Sequence, residues 1–185
     1  MFYFLIPLLL GFTFNAASAF TTIYSRWFGV SGGRLACIIL RDVLGIPVWL
    51  VGYAMAVREA SSLLFEPSIF TSLLAWLFIL AGAVIILAGL MSLRWRAAAP
   101  SMQDTFVIHG IYAYIRHPLY SGMILELLGL FLWIPTVTVF TACLLGWLWV
   151  MVQARLEEMD LVQRLPAYKD YMQQVPRFLP KVRFH

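Results

Sequence analysis

The chain has 185 residues, 62% of them apolar and 12% charged, with a mean hydropathy of +0.86. Soluble domains are nearer half apolar and a quarter charged, so the composition excludes a water-soluble globular domain and intrinsic disorder. Thirteen Lys plus Arg against nine Asp plus Glu give +4, a surplus whose meaning depends on where it sits relative to the spans. Cys37 and Cys143 both lie in apolar runs without a second ligand nearby, so neither a structural disulfide nor a zinc site is expected.

The first apolar run extends from Met1 to about Phe20. Ala17-Ser18-Ala19 resembles the small-residue site of a cleaved signal peptide, but no basic residue precedes the run, which therefore reads as a first span. A second run covers about Leu35 to Val57, with Arg41 and Asp42 near its start. A third covers about Ile69 to Leu93, set off by Pro67 and the Ser61-Ser62 pair. The stretch from Pro118 to about Val152 is 35 residues long. As one helix it would measure roughly 50 Å, against a hydrocarbon core of roughly 30 Å. Pro135, after Trp133-Ile134, supplies a break and divides it into two tightly connected helices.

Charge placement supports this division. With five spans, eleven Lys and Arg fall on one side of the membrane and Arg58 alone on the other; with four, the tally is five against seven and the bias vanishes. The positive-inside rule thus predicts an all-α integral membrane protein of five transmembrane helices. Its last two helices form a tight hairpin, its N-terminus lies outside and its amphipathic C-terminal tail is cytoplasmic. A bacterial inner membrane and an endomembrane fit equally. No internal repeat is apparent. Residues 1–93 read as a three-helix scaffold. Residues 94–185 hold all three histidines and most of the polar groups suited to chemistry, within the same single domain.

The third loop ends in HGIYAYIRHPLYSG, residues 109–122. Pro118 suits the first turn of a helix, and the free amides of that turn carry partial positive charge. With Arg116 and His117 just before it, this forms a donor-rich, anion-accepting corner. The plainer alternative has Arg116 meeting lipid phosphate and His117 capping a helix. An odd number of spans returns Glu157-Glu158, at the end of the last helix, to the same face, so the acids and the cationic corner can meet. Tyr168, Tyr171 and the run Val175-Pro176-Arg177-Phe178-Leu179-Pro180 follow, as a lid over the site or a basic surface helix. Glu126 lies about 12 Å into the fourth span, where an acid is costly; it either lines a cavity or pairs with a group such as Arg41. Arg41 and Asp42 read as structural. His109 reads as a loop residue and His185 as part of the terminus.

Gly110-x-Tyr112, Arg116-His117-Pro118-x-Tyr120-x-Gly122, the Glu157-Glu158 pair with Leu161, and the tail with Tyr168, Tyr171, Val175-Pro176 and Pro180 give a pattern that resembles the isoprenylcysteine carboxyl methyltransferases and their phospholipid N-methyltransferase relatives. The resemblance covers roughly Ala97 to Val182. It implies a methyltransferase that binds S-adenosylmethionine at the cytoplasmic face. Carried over by position, cofactor contacts fall on Asp104, Thr105, Phe106, Val107, Tyr112, His117, Pro118, Leu119, Tyr120 and Glu157, with Arg116 beside them in the cationic corner. The chemistry is compatible: a carboxylate suits His117 and the helix amides, and an ammonium and ribose hydroxyls suit Glu157 or Glu158. Tyr112 and Tyr120 suit adenine or a sulfonium.

One position departs from the pattern. Where the isoprenylcysteine enzymes place an arginine thought to hold the substrate carboxylate, this chain has Gln153, and Arg155 two residues on points about 200° around the helix. Candidate catalytic residues are therefore Glu158, Arg155 and Glu126, and candidate acceptor contacts are Gln153 and Glu126. A carboxylate or thiolate acceptor needs no base, whereas a protonated amine must first lose a proton, for instance to Glu158. The expected partners are membrane lipids and a lipophilic small molecule, with no nucleic acid and no metal. The alternatives are an NADPH-dependent reductase of the sterol type, which shares the Arg-His-Pro string, and a small transporter or assembly factor.

Overall fold

The computed structural model describes residues 2–93 and 106–180. The described chain is helical: α1 (Leu5–Ser18), α2 (Thr21–Ile38), α3 (Ile46–Arg58), α4 (Ile69–Leu93), α5 (Pro118–Trp133), α6 (Val137–Arg164) and α7 (Tyr168–Gln174). A π-helical segment, Ile39–Gly45, joins α2 to α3, and a 3-10 turn, Gly110–Ala113, precedes α5. Each of the five predicted apolar runs is helical. Three stretches, Thr21–Arg58, Ile69–Leu93 and Val137–Arg164, are long and apolar enough to cross a membrane, while α1 and α5 are apolar but have 14 and 16 residues.

The second helix begins well before Leu35, at Thr21. Its first part is polar and glycine-rich, which removes it from a hydropathy reading. Gly29, at φ +72°, breaks the helical geometry within it. The opening turn is fixed by tertiary contact, since the Thr22 amide donates to Asp160 Oδ1 of α6 at 2.9 Å. The last span likewise runs past Val152 to Arg164, because Gln153, Ala154, Glu158 and Asp160 continue the buried face of α6.

The break at Pro135 is present. α5 ends at Trp133, and the Thr136 hydroxyl caps α6 by accepting from the Val139 amide. The tip of this hairpin rests on the end of α3 and on the segment between α3 and α4. Leu64 N donates to Pro135 O at 2.8 Å, Val137 N to Ser62 O at 3.0 Å, and Thr138 Oγ1 to Ala56 O at 2.9 Å.

The centre of the fold lies between α1, α3 and α6, where Phe4, Leu8, Tyr53, Ala56, Val139, Ala142 and Val150 are buried. α4 is built the other way round. Ile69 is 83% and Phe70 73% exposed, whereas Ala75, Gly82 and Gly89 are buried against α5. In lipid, apolar side chains gain little by turning inward, and helices associate where small residues let backbones touch. A Cβ on Gly82 would stand 2.6 Å from the Gly122 carbonyl oxygen, so only glycine permits this approach.

Candidate active site

Pro118 opens α5 with no amide to leave unpaired, and this fixes Arg116 and His117 immediately before the helix, both buried. On α6, Gln153 and Glu157 share one side at i, i+4 spacing, and Glu158 lies about 100° further round. Glu158 is 2% exposed and sits among Arg116, His117 and Arg177. Its Oε1 lies 3.0 Å from Arg116 Nη2 and 3.2 Å from His117 Nε2, and its Oε2 lies 2.5 Å from Arg177 Nη2. A carboxylate this buried is held by its cations and by the hydrogen bonds they donate.

The same corner binds the C-terminal segment. The Arg116 and His117 amides donate to the carbonyls of Pro176 (2.9 Å) and Arg177 (3.0 Å). Arg116 Nη1 donates to Val175 O at 2.8 Å and to Met172 O, and Ser121 Oγ donates to Phe178 O at 2.7 Å. The corner that the sequence suggested as an open anion site is therefore filled by the chain's own Glu158 and tail carbonyls. The reason is tertiary: the tail folds back so that Arg177 completes the cationic cluster around Glu158.

Glu157 has a different environment. Its side chain is 33% exposed and borders a cavity of about 470 Å³, within the range of small-molecule sites. The Tyr120 hydroxyl donates to its Oε1, as does Gln153 Nε2 at 3.1 Å; Oε2 has the longer contact, 3.8 Å from His117 Nδ1. Tyr120 stacks on His117 with ring centroids 5.5 Å apart and meets Trp149 edge-on at 6.2 Å. A second aromatic group closes the tail side, where Phe106 lies 5.4 Å from both Tyr168 and Tyr171. Tyr171 donates to the Tyr112 carbonyl at 2.6 Å. Burial raises the phenol pKa values of Tyr112 and Tyr168 well above the ordinary 10 and pushes Tyr171 up to about 12, so these hydroxyls stay protonated donors.

Of the residues singled out from the sequence, Phe106, Val107, Tyr112, Arg116, His117, Leu119, Tyr120 and Glu157 line this cavity. Pro118 is buried as the first residue of α5. Asp104 and Thr105 lie outside the described residues. Gln153 is 2% exposed and acts through Glu157, while Glu158 stands behind the cavity in the cationic cluster. Arg155 is exposed and does not border the cavity, as its place two residues from Gln153 requires. Glu126 is half-buried and turned to α4, its Cγ against Gly82, and also does not border the cavity. Arg41 pairs with Asp42 at 2.8 Å.

The far wall was not foreseen. Asn15 of α1, Arg41 and Asp42 of the π-helical segment, Trp49 of α3 and Asp160 of α6 all border the cavity. The available signal was the presence of Asn15, Arg41 and Asp42 inside apolar runs, where polar side chains are costly and often functional.

The family model of the phospholipid methyltransferases matches residues 70–168, which include α4, α5, α6 and both acids. No curated protein and no solved structure matches the chain. The match covers Arg116, His117, Tyr120, Glu157 and Glu158 with the helices that carry them, and the chain belongs to the phospholipid methyltransferase family.

Proposed function

We propose that the chain is an integral membrane methyltransferase that uses S-adenosylmethionine to methylate a hydrophobic or amphipathic small molecule. The observation that carries this reading is the cavity bordered by Glu157, in which a partly exposed carboxylate, aromatic faces and an apolar wall meet at one end of the α5–α6 hairpin. The residues fit the cofactor. Glu157 Oε2 suits its ammonium or ribose hydroxyls, and Phe106 and Tyr112 suit its adenine. The faces of Tyr120 and Trp149 suit its positive sulfonium. Asp104 and Thr105 are further candidates for the same group.

The cofactor, when bound, supplies an activated methyl group; the protein's task is to align an acceptor and exclude water. Tyr120 and Gln153 fix the orientation of Glu157 through its Oε1. Glu158, enclosed by cations, fixes Arg116 and the tail instead of serving as a base. The acceptor class includes a prenylcysteine-like carboxylate, a lipid amine or a thiol, and the family match favours methyl transfer over the reductase and transporter alternatives. In this reading residues 94–185 form the cofactor region, the tail is cytoplasmic and the N-terminus lies outside. The test is calorimetric titration with S-adenosylhomocysteine. The intact protein binds it, and His117→Ala and Glu157→Ala each weaken binding at least about tenfold; unchanged titrations in both variants refute the site.

A further inference from the structure

Part of the cavity wall comes from the N-terminal half, outside the residues that the family model matches. The charged residues on the wall are engaged with one another or with the chain. Arg116 pairs with Glu158 at 3.0 Å, Arg164 with Asp160 at 3.1 Å and Arg41 with Asp42 at 2.8 Å, while Glu157 accepts from Tyr120 and Gln153. Neutral groups on the N-terminal side are engaged too: Ser18 Oγ donates to Asn15 O at 2.6 Å, and Thr21 Oγ1 lies 3.6 Å from Cys37 Sγ.

The Asn15 side chain differs. It stands in the apolar run of α1, is 5% exposed and borders the cavity, and its Oδ1 has no hydrogen-bond partner among the described residues. A polar side chain in a span ordinarily earns its place by bonding across to a neighbouring helix. Here the surface opposite Oδ1 is Gly45, on which a Cβ would stand 2.9 Å away, and glycine has no side chain to offer. The indole nitrogens of Trp49 and Trp149, on the same part of the wall, are also buried without partners. Packing fixes these groups together. Gly11, one turn before Asn15, lets α1 rest on the Trp49 backbone, and the Trp49 and Trp149 rings lie 6.3 Å apart.

Buried polar atoms are ordinarily satisfied, so three unsatisfied side chains on one part of a cavity wall point to a ligand group that the fold itself lacks. The three also define its chemistry. A carboxamide and two indoles bond to a hydroxyl or an amide, but they carry no charge with which to offset one. A charged group placed here would lose its hydration with no counter-charge left to replace it. Beyond this point the cavity is apolar, bordered by Leu90, Leu93, Leu119 and Met123.

We infer that Asn15 is a specificity-determining residue whose carboxamide hydrogen-bonds an uncharged polar group, an amide or a hydroxyl, on an otherwise apolar acceptor. The last torsion of an asparagine is broad, so either end of the carboxamide can turn to the ligand. The inference rests on the methyltransferase reading for the word acceptor, and it concerns the group that is bound, not the atom that is methylated.

The experiment titrates purified protein in neutral-detergent micelles with hexanamide, hexanol, hexanoate, hexylammonium and 1-chlorohexane, each against a protein-free micelle blank, and separately with S-adenosylhomocysteine. Wild-type protein is expected to bind hexanamide or hexanol at least about fivefold more tightly than the two ions and than 1-chlorohexane, the worth of about one hydrogen bond. The comparison of hexanamide with hexanol identifies the group. Asn15→Leu should abolish that preference while 1-chlorohexane and S-adenosylhomocysteine affinities stay within about twofold, whereas a merely structural role would weaken all probes alike. An ion bound as tightly as the neutral probes by wild-type protein overturns the inference without recourse to any variant. So does an undiminished preference in Asn15→Leu, or a tenfold loss of its S-adenosylhomocysteine affinity, because Asn15 would then serve the cofactor. Failure of wild-type protein to bind S-adenosylhomocysteine, with the neutral preference intact, would instead refute the methyltransferase reading.

Discussion

Replacing Glu158 by Gln removes the negative charge that Arg116, His117 and Arg177 share, while keeping nearly the same shape. Glu158, Arg116 and His117 are 2%, 8% and 7% exposed at their side chains, so water cannot take over the lost interaction. Removing one partner of a buried ion pair costs about 3–5 kcal/mol. Arg116 retains the carbonyls of Met172 and Val175 as acceptors, and Arg177 is 28% exposed, which places the cost near the lower end, about 3 kcal/mol. That corresponds to about a hundredfold increase in the open population of the segment that Glu158 anchors. Limited trypsin digestion at low protease concentration reads this population through cleavage after Lys169 and Arg177. Glu158→Gln is expected to speed that cleavage by about two orders of magnitude. Gln173→Ala, at an exposed position on the same segment, should leave it unchanged. Cleavage of Glu158→Gln within threefold of wild type would refute the view that this acid fastens the tail to the start of α5.

Tyr120→Phe removes a donor to Glu157 and should weaken S-adenosylhomocysteine binding by about ten- to hundredfold, the worth of a charge-assisted hydrogen bond, read by calorimetry. Gly82→Leu forces a side chain where even a Cβ would meet the Gly122 carbonyl at 2.6 Å; it should separate α4 from α5 and lower the thermal midpoint at a cost of at least about 1–3 kcal/mol. Tyr171, raised by burial to about 12 from an ordinary 10, binds its proton more tightly when folded. Its contribution is thus complete below pH 10 and is lost as pH rises towards 12. Tyr171→Phe should make the alkaline fall in stability shallower, and an unchanged slope in denaturant titrations between pH 9 and 12 would contradict the assignment.

Much of this architecture is legible in the sequence because punctuation and periodicity act locally. Pro118 and Pro135 mark where α5 starts and where the hairpin turns, and an odd number of apolar runs before Glu157 brings the acids back to His117. The spacing of Gln153, Arg155 and Glu157 on one helix also separates the buried residue from the exposed one. What the sequence conceals are long-range partners. Nothing near Arg177 announces that its guanidinium meets Glu158, and nothing near Thr22 announces that Asp160 accepts from its amide. The polar stretch before Leu35 lacks the apolar signal of a span, yet its first turn is fixed by that same contact with α6. Asn15 and Arg41 stand out as costly in an apolar run, but their neighbours across the cavity come from α4, α5 and α6, which only packing reveals.

The central claim, that this family member transfers a methyl group at the Glu157 cavity, is tested most directly with S-adenosylmethionine carrying a radiolabelled methyl. Purified protein is incubated with it and a native lipid and small-molecule extract, and the organic phase is counted. The account predicts label in a lipophilic product above a boiled-protein control, reduced at least about tenfold by Glu157→Ala. Label that never exceeds the control, or that Glu157→Ala leaves undiminished, would contradict it.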